Sequence, residues 1–175
     1  MSTLLILLVW SGSLVSHDSG ASSTPPEKPS VDESRERSRS SRDRAIAYLL
    51  ESQNPDGSWG GAANATFTDC WSNPETQRSW RVATTGLACM ALLEAVDGDW
   101  GASDAAQRER GLDAVDRGLD TLIDGASLEQ CEDWDLDNMW GYLYGLQGLA
   151  RALANDRFGP EHRKHAAIRA AAGIH

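Results

Sequence analysis

Short stretches of this chain recur elsewhere in it, and that self-similarity constrains its fold more than any other feature. Ala45-Ile46-Ala47-Tyr48-Leu49-Leu50 aligns with Gly118-Leu119-Asp120-Thr121-Leu122-Ile123, and Gly173-Ile174-His175 reads as the opening of a third copy. Thr85-Gly86-Leu87 pairs in the same way with Tyr144-Gly145-Leu146. A second echo sets Leu49-Leu50-Glu51 and Asp56-Gly57-Ser58-Trp59-Gly60 against Leu92-Leu93-Glu94 and Asp97-Gly98-Asp99-Trp100-Gly101, in a different register. Repetition over tens of residues marks stacked supersecondary units, each too small to bury its own apolar face.

The unit is helical. Ala45, Ile46, Leu49 and Leu50 recur at helical spacing and predict a helix from Asp43 to Gln53,. Asn54-Pro55-Asp56-Gly57 ends it, because Pro55 disfavours helical geometry in Asn54 and Gly57 accepts a positive φ. A second helix is predicted over Thr84–Val96, with Leu87, Met90, Ala91 and Leu92 to bury and Gly86 and Ala88 small enough for close packing. A third, Asp104–Ile123, is mostly polar, an outer-layer pattern. A fourth, Asn138–Leu153, is apolar almost all round, with Gly141, Gly145 and Gly148 keeping one side thin, an inner-layer pattern,. A fifth starts near Glu161 and is still running at His175.

Between the first two helices, Gln53-Asn54-Pro55-Asp56-Gly57-Ser58-Trp59 carries the pattern Q-x-x-x-G-x-W. Gly57 permits the tight turn, Trp59 can fold back over the hairpin, and Gln53 can bond exposed groups at a helix end. With the alternation of polar and apolar helices, this motif resembles the repeat signature of the squalene cyclases and their prenyltransferase relatives. The resemblance spans 43–175 and implies an all-α fold, an α/α-toroid-type run of helical hairpins in which an outer layer of helices surrounds an inner one. About two and a half hairpins are expected, an incomplete ring whose open ends offer surfaces for self-association.

Upstream the composition changes. The apolar run Leu4–Trp10 followed by small residues predicts a signal peptide over 1–16 and hence a secreted or periplasmic product, although no Lys or Arg precedes the run,. It is too short for a stable membrane span. Residues 17–42, rich in Ser, Pro and Arg with almost nothing apolar, read as a disordered linker. Its Arg-Ser run is interleaved with Asp32, Glu33, Glu36 and Asp43, which dilute a field for phosphate. The net charge of -10 adds to this, since fourteen acidic residues face three arginines between Glu94 and Asp137, so nucleic acid is not an expected partner.

Three cysteines, Cys70, Cys89 and Cys131, show no C-x-x-C spacing and make neither a disulfide framework nor a zinc knuckle,. Cys89 reads as a core residue, and Cys70 and Cys131 as loop residues able to pair. Asn64-Ala65-Thr66 matches a glycosylation sequon. His162 and His165 are expected on one solvated face of the fifth helix. No metal or other cofactor is expected.

The chemistry implied by the resemblance would fall on acids. A class II cyclase protonates an alkene with a carboxylic acid held neutral by neighbouring carboxylates in a D-x-D-D cluster. Asp135-Leu136-Asp137-Asn138, with Asp133 upstream, departs from that pattern at its last position, where Asn replaces Asp. Asp133, Asp135 and Asp137 are therefore weak catalytic candidates. Trp134, Trp140, Tyr142 and Tyr144 are candidate ligand-binding residues, whose ring faces could stabilise a cation. The simpler reading has Asp137 or Asn138 capping the fourth helix, the other acids favouring its N-terminus and the rings packing between helices. The expected function is accordingly an exported, non-catalytic repeat module that binds a protein, glycan or apolar ligand. The alternative is a fragment of a terpene-cyclase-like or lyase-like enzyme using the Asp cluster as general acid.

Overall fold

The computed structural model describes residues 30–60, 74–98, 105–128 and 138–174, and among them regular structure is entirely helical. The five α-helices are α1 (Val31–Glu51), α2 (Pro74–Asp97), α3 (Ala105–Asp124), α4 (Asn138–Leu153) and α5 (His165–Ile174), with 3-10 turns at Gly125–Ser127 and Asp156–Phe158. No helix among the described residues is long and apolar enough to cross a membrane.

α4 coincides with its predicted span, because its apolar periodicity is unbroken. α1 begins well before its apolar residues do, so the linker expected over 17–42 is helical from Val31 onward. A capping box explains the early start: Ser30 Oγ accepts from Glu33 N–H, and the Glu33 carboxylate accepts from Ser30 N–H,. No Gly or Pro interrupts the run that follows. α2 also starts ten positions before Thr84, with Pro74 in the first turn, where its missing N–H costs nothing,. Its early turns are polar yet buried, through Thr76 and Ser79, and apolar periodicity does not reveal such turns. α5 starts later than Glu161, because the chain first folds into turns around Asn155, whose side chain accepts from Arg157 N–H.

The helices form two layers. α2 and α4 run parallel: Ser79 meets Gly141, Gly86 meets Tyr144 and Gly148, and Asp97 meets Arg151 and Asn155. Their backbones approach closely, and a Cβ on Gly86 would lie 2.2 Å from the Tyr144 carbonyl oxygen. The small residues read in the sequence do pack against each other here. α3 runs antiparallel to α2, with Gly118 against Cys89 and Gly125 against Val82. α5 follows the direction of α3, from Asp116 towards the 3-10 turn at Gly125–Ser127. Leu92, Leu93, Val96, Val115, Leu119, Leu122, Leu149, Phe158 and Ile168 fill the space between the layers. Cys89 is fully buried among them as expected, and burial pushes its thiol up to about 12.

The two layers differ in what they show to solvent. α3 exposes Arg110, Asp113, Arg117, Asp120 and Asp124, whereas α2, between its exposed charges at Arg78 and Glu94, exposes Trp80, Thr84, Leu87 and Ala91, and α4 exposes Met139, Trp140, Leu143, Gln147 and Ala150. The sequence placed Leu87 and Ala91 in the core. The structure turns them outward, because the side of α2 that faces α3 is supplied by Val82, Cys89, Leu92, Leu93 and Val96.

Candidate functional site

The hairpin that follows α1 is held by its signature residues. Gly57 takes φ +85°, and a Cβ there would come within 2.6 Å of the Arg117 carbonyl oxygen, so the turn requires glycine twice over,. Gln53 Nε2 donates to the Gly57 carbonyl at 2.9 Å and to the Ala114 carbonyl of α3 at 2.8 Å, while Arg117 donates to Gln53 Oε1. One amide thus ties the end of α1 to the middle of α3. Trp59 is buried, its Nε1–H donating to the Leu49 carbonyl at 2.7 Å and its backbone N–H to Thr85 Oγ1 of α2 at 3.0 Å. Asp56 accepts from the hydroxyl and the N–H of Ser58, and the Arg81 guanidinium stands 3.1 Å away. The Ser58 bonds, assisted by Arg81, hold the Asp56 carboxyl below the usual aspartate range.

This staple fixes α1 beside α2 and leaves a cleft of about 470 Å³ between them. Tyr48, Leu49 and Ser52 line it from α1, and Thr84, Leu87, Ala88 and Ala91 from α2, with Trp59 and Gly60 between. Thr84 and Leu87 also belong to the exposed stripe of α2, so the cleft opens onto that stripe. None of the exposed positions from Trp80 to Ala91 on α2, or from Met139 to Ala150 on α4, carries a charge. Charges return at the end of this face, where Arg151 pairs with Glu94 and Asp97. Large side chains are far from covered there: Leu87 is 46% exposed, Leu143 44%, Trp80 47% and Met139 57%.

The ligand-binding candidates divide. Trp140 and Tyr144, one helical turn apart on α4, stack with ring centroids 5.8 Å apart and planes within 11°. They border the uncharged face. Tyr142 turns the other way, half-buried against the core, with its hydroxyl donating to the Leu128 carbonyl. Trp134 and the candidate acids Asp133, Asp135 and Asp137 lie outside the described residues, as do Cys70, Cys131 and the sequon at Asn64. Trp80 went unmarked in the sequence, Thr84 was marked only as a helix start and Ala91 as a buried residue, although their spacing with Leu87 places all four on one side of a helix.

The histidines are not the solvated pair expected of them. His162 lies in the turn before α5, packed edge-on against Phe158, with Nε2 3.3 Å from Asp116 Oδ1. His165 opens α5, with Nδ1 2.9 Å from the Phe158 carbonyl oxygen. Asp116 also pairs with Arg163 at 2.7 Å and with the buried Lys164 at 3.3 Å, and Lys164 reaches Asp120 at 2.8 Å. This ionic cluster clamps the turn before α5 onto α3. Among the described residues no group of three or more His, Cys, Asp or Glu is placed to hold a metal ion.

Comparison with protein-family models, with curated proteins and with solved structures finds no match to this chain.

Proposed function

We propose that this chain is a non-catalytic module of α/α-toroid-type helical repeats, with α2 and α4 as its inner helices, and that it binds an uncharged apolar ligand on the face these two helices share. The observation that carries the reading is the pair of neighbouring exposed stripes, free of charge over three turns in a chain with 24% charged residues. A water-exposed surface of Trp80, Leu87, Met139, Trp140 and Leu143 is costly to leave uncovered, and covering it returns ~25 cal/mol per Å² of apolar area. The parallel course of α2 and α4, the antiparallel course of α3 and the Gln53 link from α1 to α3 support the repeat reading. An apolar ligand is favoured over a glycan because aliphatic side chains surround the rings, whereas a glycan needs convergent polar partners.

Titration with a neutral solvatochromic dye such as Nile red tests this. Saturable binding to the native chain is expected, weakened at least about tenfold in the L87Q/L143Q variant, each lost methylene contact being worth ~0.8 kcal/mol. Both side chains are half-exposed, so the variant keeps its melting temperature. Absence of saturable binding, or equal binding by the variant, would overturn the proposal.

A further inference from the structure

The first half of α1 stands apart from everything described so far. From Val31 to Ala45 every side chain is exposed, and this part of the helix extends ~20 Å at 1.5 Å per residue. In sequence order its Arg and acidic residues are mixed. Around a helix that turns ~100° per residue they separate. Ser34, Ser38 and Ser41 form one row. Arg35, Arg39 and Arg42 flank that row on one side, and Arg37 and Arg44 flank it on the other. Asp32, Glu36 and Asp43 gather on the side facing away from the serines, and Glu33, in the first turn, lies beside the row of Arg37 and Arg44 with its carboxylate on the Ser30 N–H.

The arginines are available. Arg35, Arg39 and Arg42 approach Asp32, Glu36 and Asp43 only at 3.8, 3.9 and 3.5 Å, in exposed pairs that contribute little,. Arg37 and Arg44 make no ion pair with any described residue, and Arg44 instead donates to the hydroxyls of Ser40 and Ser41 at 2.6 and 3.1 Å.

We propose that α1 docks through this face in the major groove of duplex DNA. The groove is ~12 Å wide and admits a helix between two phosphate strands. Seated serines-down, α1 directs its two arginine rows to the two strands, its short hydroxyls to the base edges and Asp32, Glu36 and Asp43 to solvent. A flat anionic bilayer would meet one arginine row and leave the other turned away, and the A-form groove of RNA is too narrow for the helix. The acidic body opposes the approach, but salt screens it over ~8–10 Å, less than half the length of the free helix. Dilution by acidic residues, the argument against phosphate drawn from sequence order, holds around the helix only for Glu33 in its first turn.

Fluorescence anisotropy of the full chain with a labelled duplex of about 20 base pairs tests the proposal. Binding is expected at about 50 mM salt and should fall steeply by about 200 mM, with a log–log slope no steeper than about -4.5 for five arginines. R37Q/R44Q should weaken it at least about tenfold, R37K/R44K much less, and E36Q/D43N should tighten it. All these side chains are exposed, and circular dichroism of each variant should match the native chain. No duplex binding at low salt, binding indifferent to R37Q/R44Q, or association with phosphatidylglycerol vesicles in place of the duplex would each overturn it.

Discussion

At the scale of single residues, the turn after α1 concentrates more constraint than any other segment. Gly57 combines a left-handed φ with a carbonyl 2.6 Å from where a Cβ would sit, so Gly57→Ala is expected to cost ~2 kcal/mol or more, from backbone strain and overpacking together. Gln53→Ala removes two donated bonds and the anchor of Arg117 and should cost ~1–2 kcal/mol. Urea denaturation of each variant measures both. Asp116 makes a prediction in pH. Burial alone would raise its pKa, but the hydrogen bonds and charges of Arg163 and Lys164 outweigh burial and leave it below the usual value. A carboxyl depressed in the fold contributes stability that is complete above its unfolded pKa of ~3.9 and is lost as pH falls through the folded value. Stability measured from pH 6 down to about pH 2 should therefore fall less steeply in Asp116→Asn than in the native chain, although the variant starts lower.

At the scale of elements, the crossing of α2 and α4 depends on glycine. A Cβ on Gly86 meets the Tyr144 carbonyl at 2.2 Å, and one on Gly148 meets Gly86 Cα at 3.0 Å. Gly86→Ala should push the helices apart and lower stability by ~1–3 kcal/mol, despite the better helix propensity of alanine. The two halves of α1 should separate in hydrogen exchange. Amides from Ser34 to Arg44 belong to an unpacked helical stretch of ~15 residues and should exchange quickly, while those of α2 and α4 are protected to near global unfolding. These elements were unequally legible in the sequence. Apolar periodicity placed α4 to the residue. It missed the start of α1, where a capping box and not burial sets the boundary, although Ser30 and Glu33 have the right spacing. The first turns of α2 escaped because the residues they bury, Thr76 and Ser79, are polar. The Q-x-x-x-G-x-W segment was readable in full, because a glycine turn, an amide staple and a buried indole are local requirements. The outward stripe of α2 was not, since which side of an apolar helix meets its neighbours depends on the partners and not on the helix alone.

At the scale of the whole molecule, charge and apolarity are segregated. The layer of α3 and α5 carries ion pairs such as Arg157 with Glu109 and Lys164 with Asp120, whereas the layer of α2 and α4 exposes no charge from Trp80 to Ala91 or from Met139 to Ala150 and closes with the Arg151 pairs to Glu94 and Asp97. That asymmetry is the basis for reading the second face as the functional one. The most direct test is quenching of tryptophan fluorescence by a short bromoalkane. Trp80 and Trp140 border the proposed site with 47% and 41% exposure, whereas Trp59 is buried. A saturable loss of emission is predicted, removed by replacing Trp80 and Trp140 with Phe. Linear, unsaturable quenching, or quenching unchanged without Trp80 and Trp140, would contradict a ligand site on the α2–α4 face.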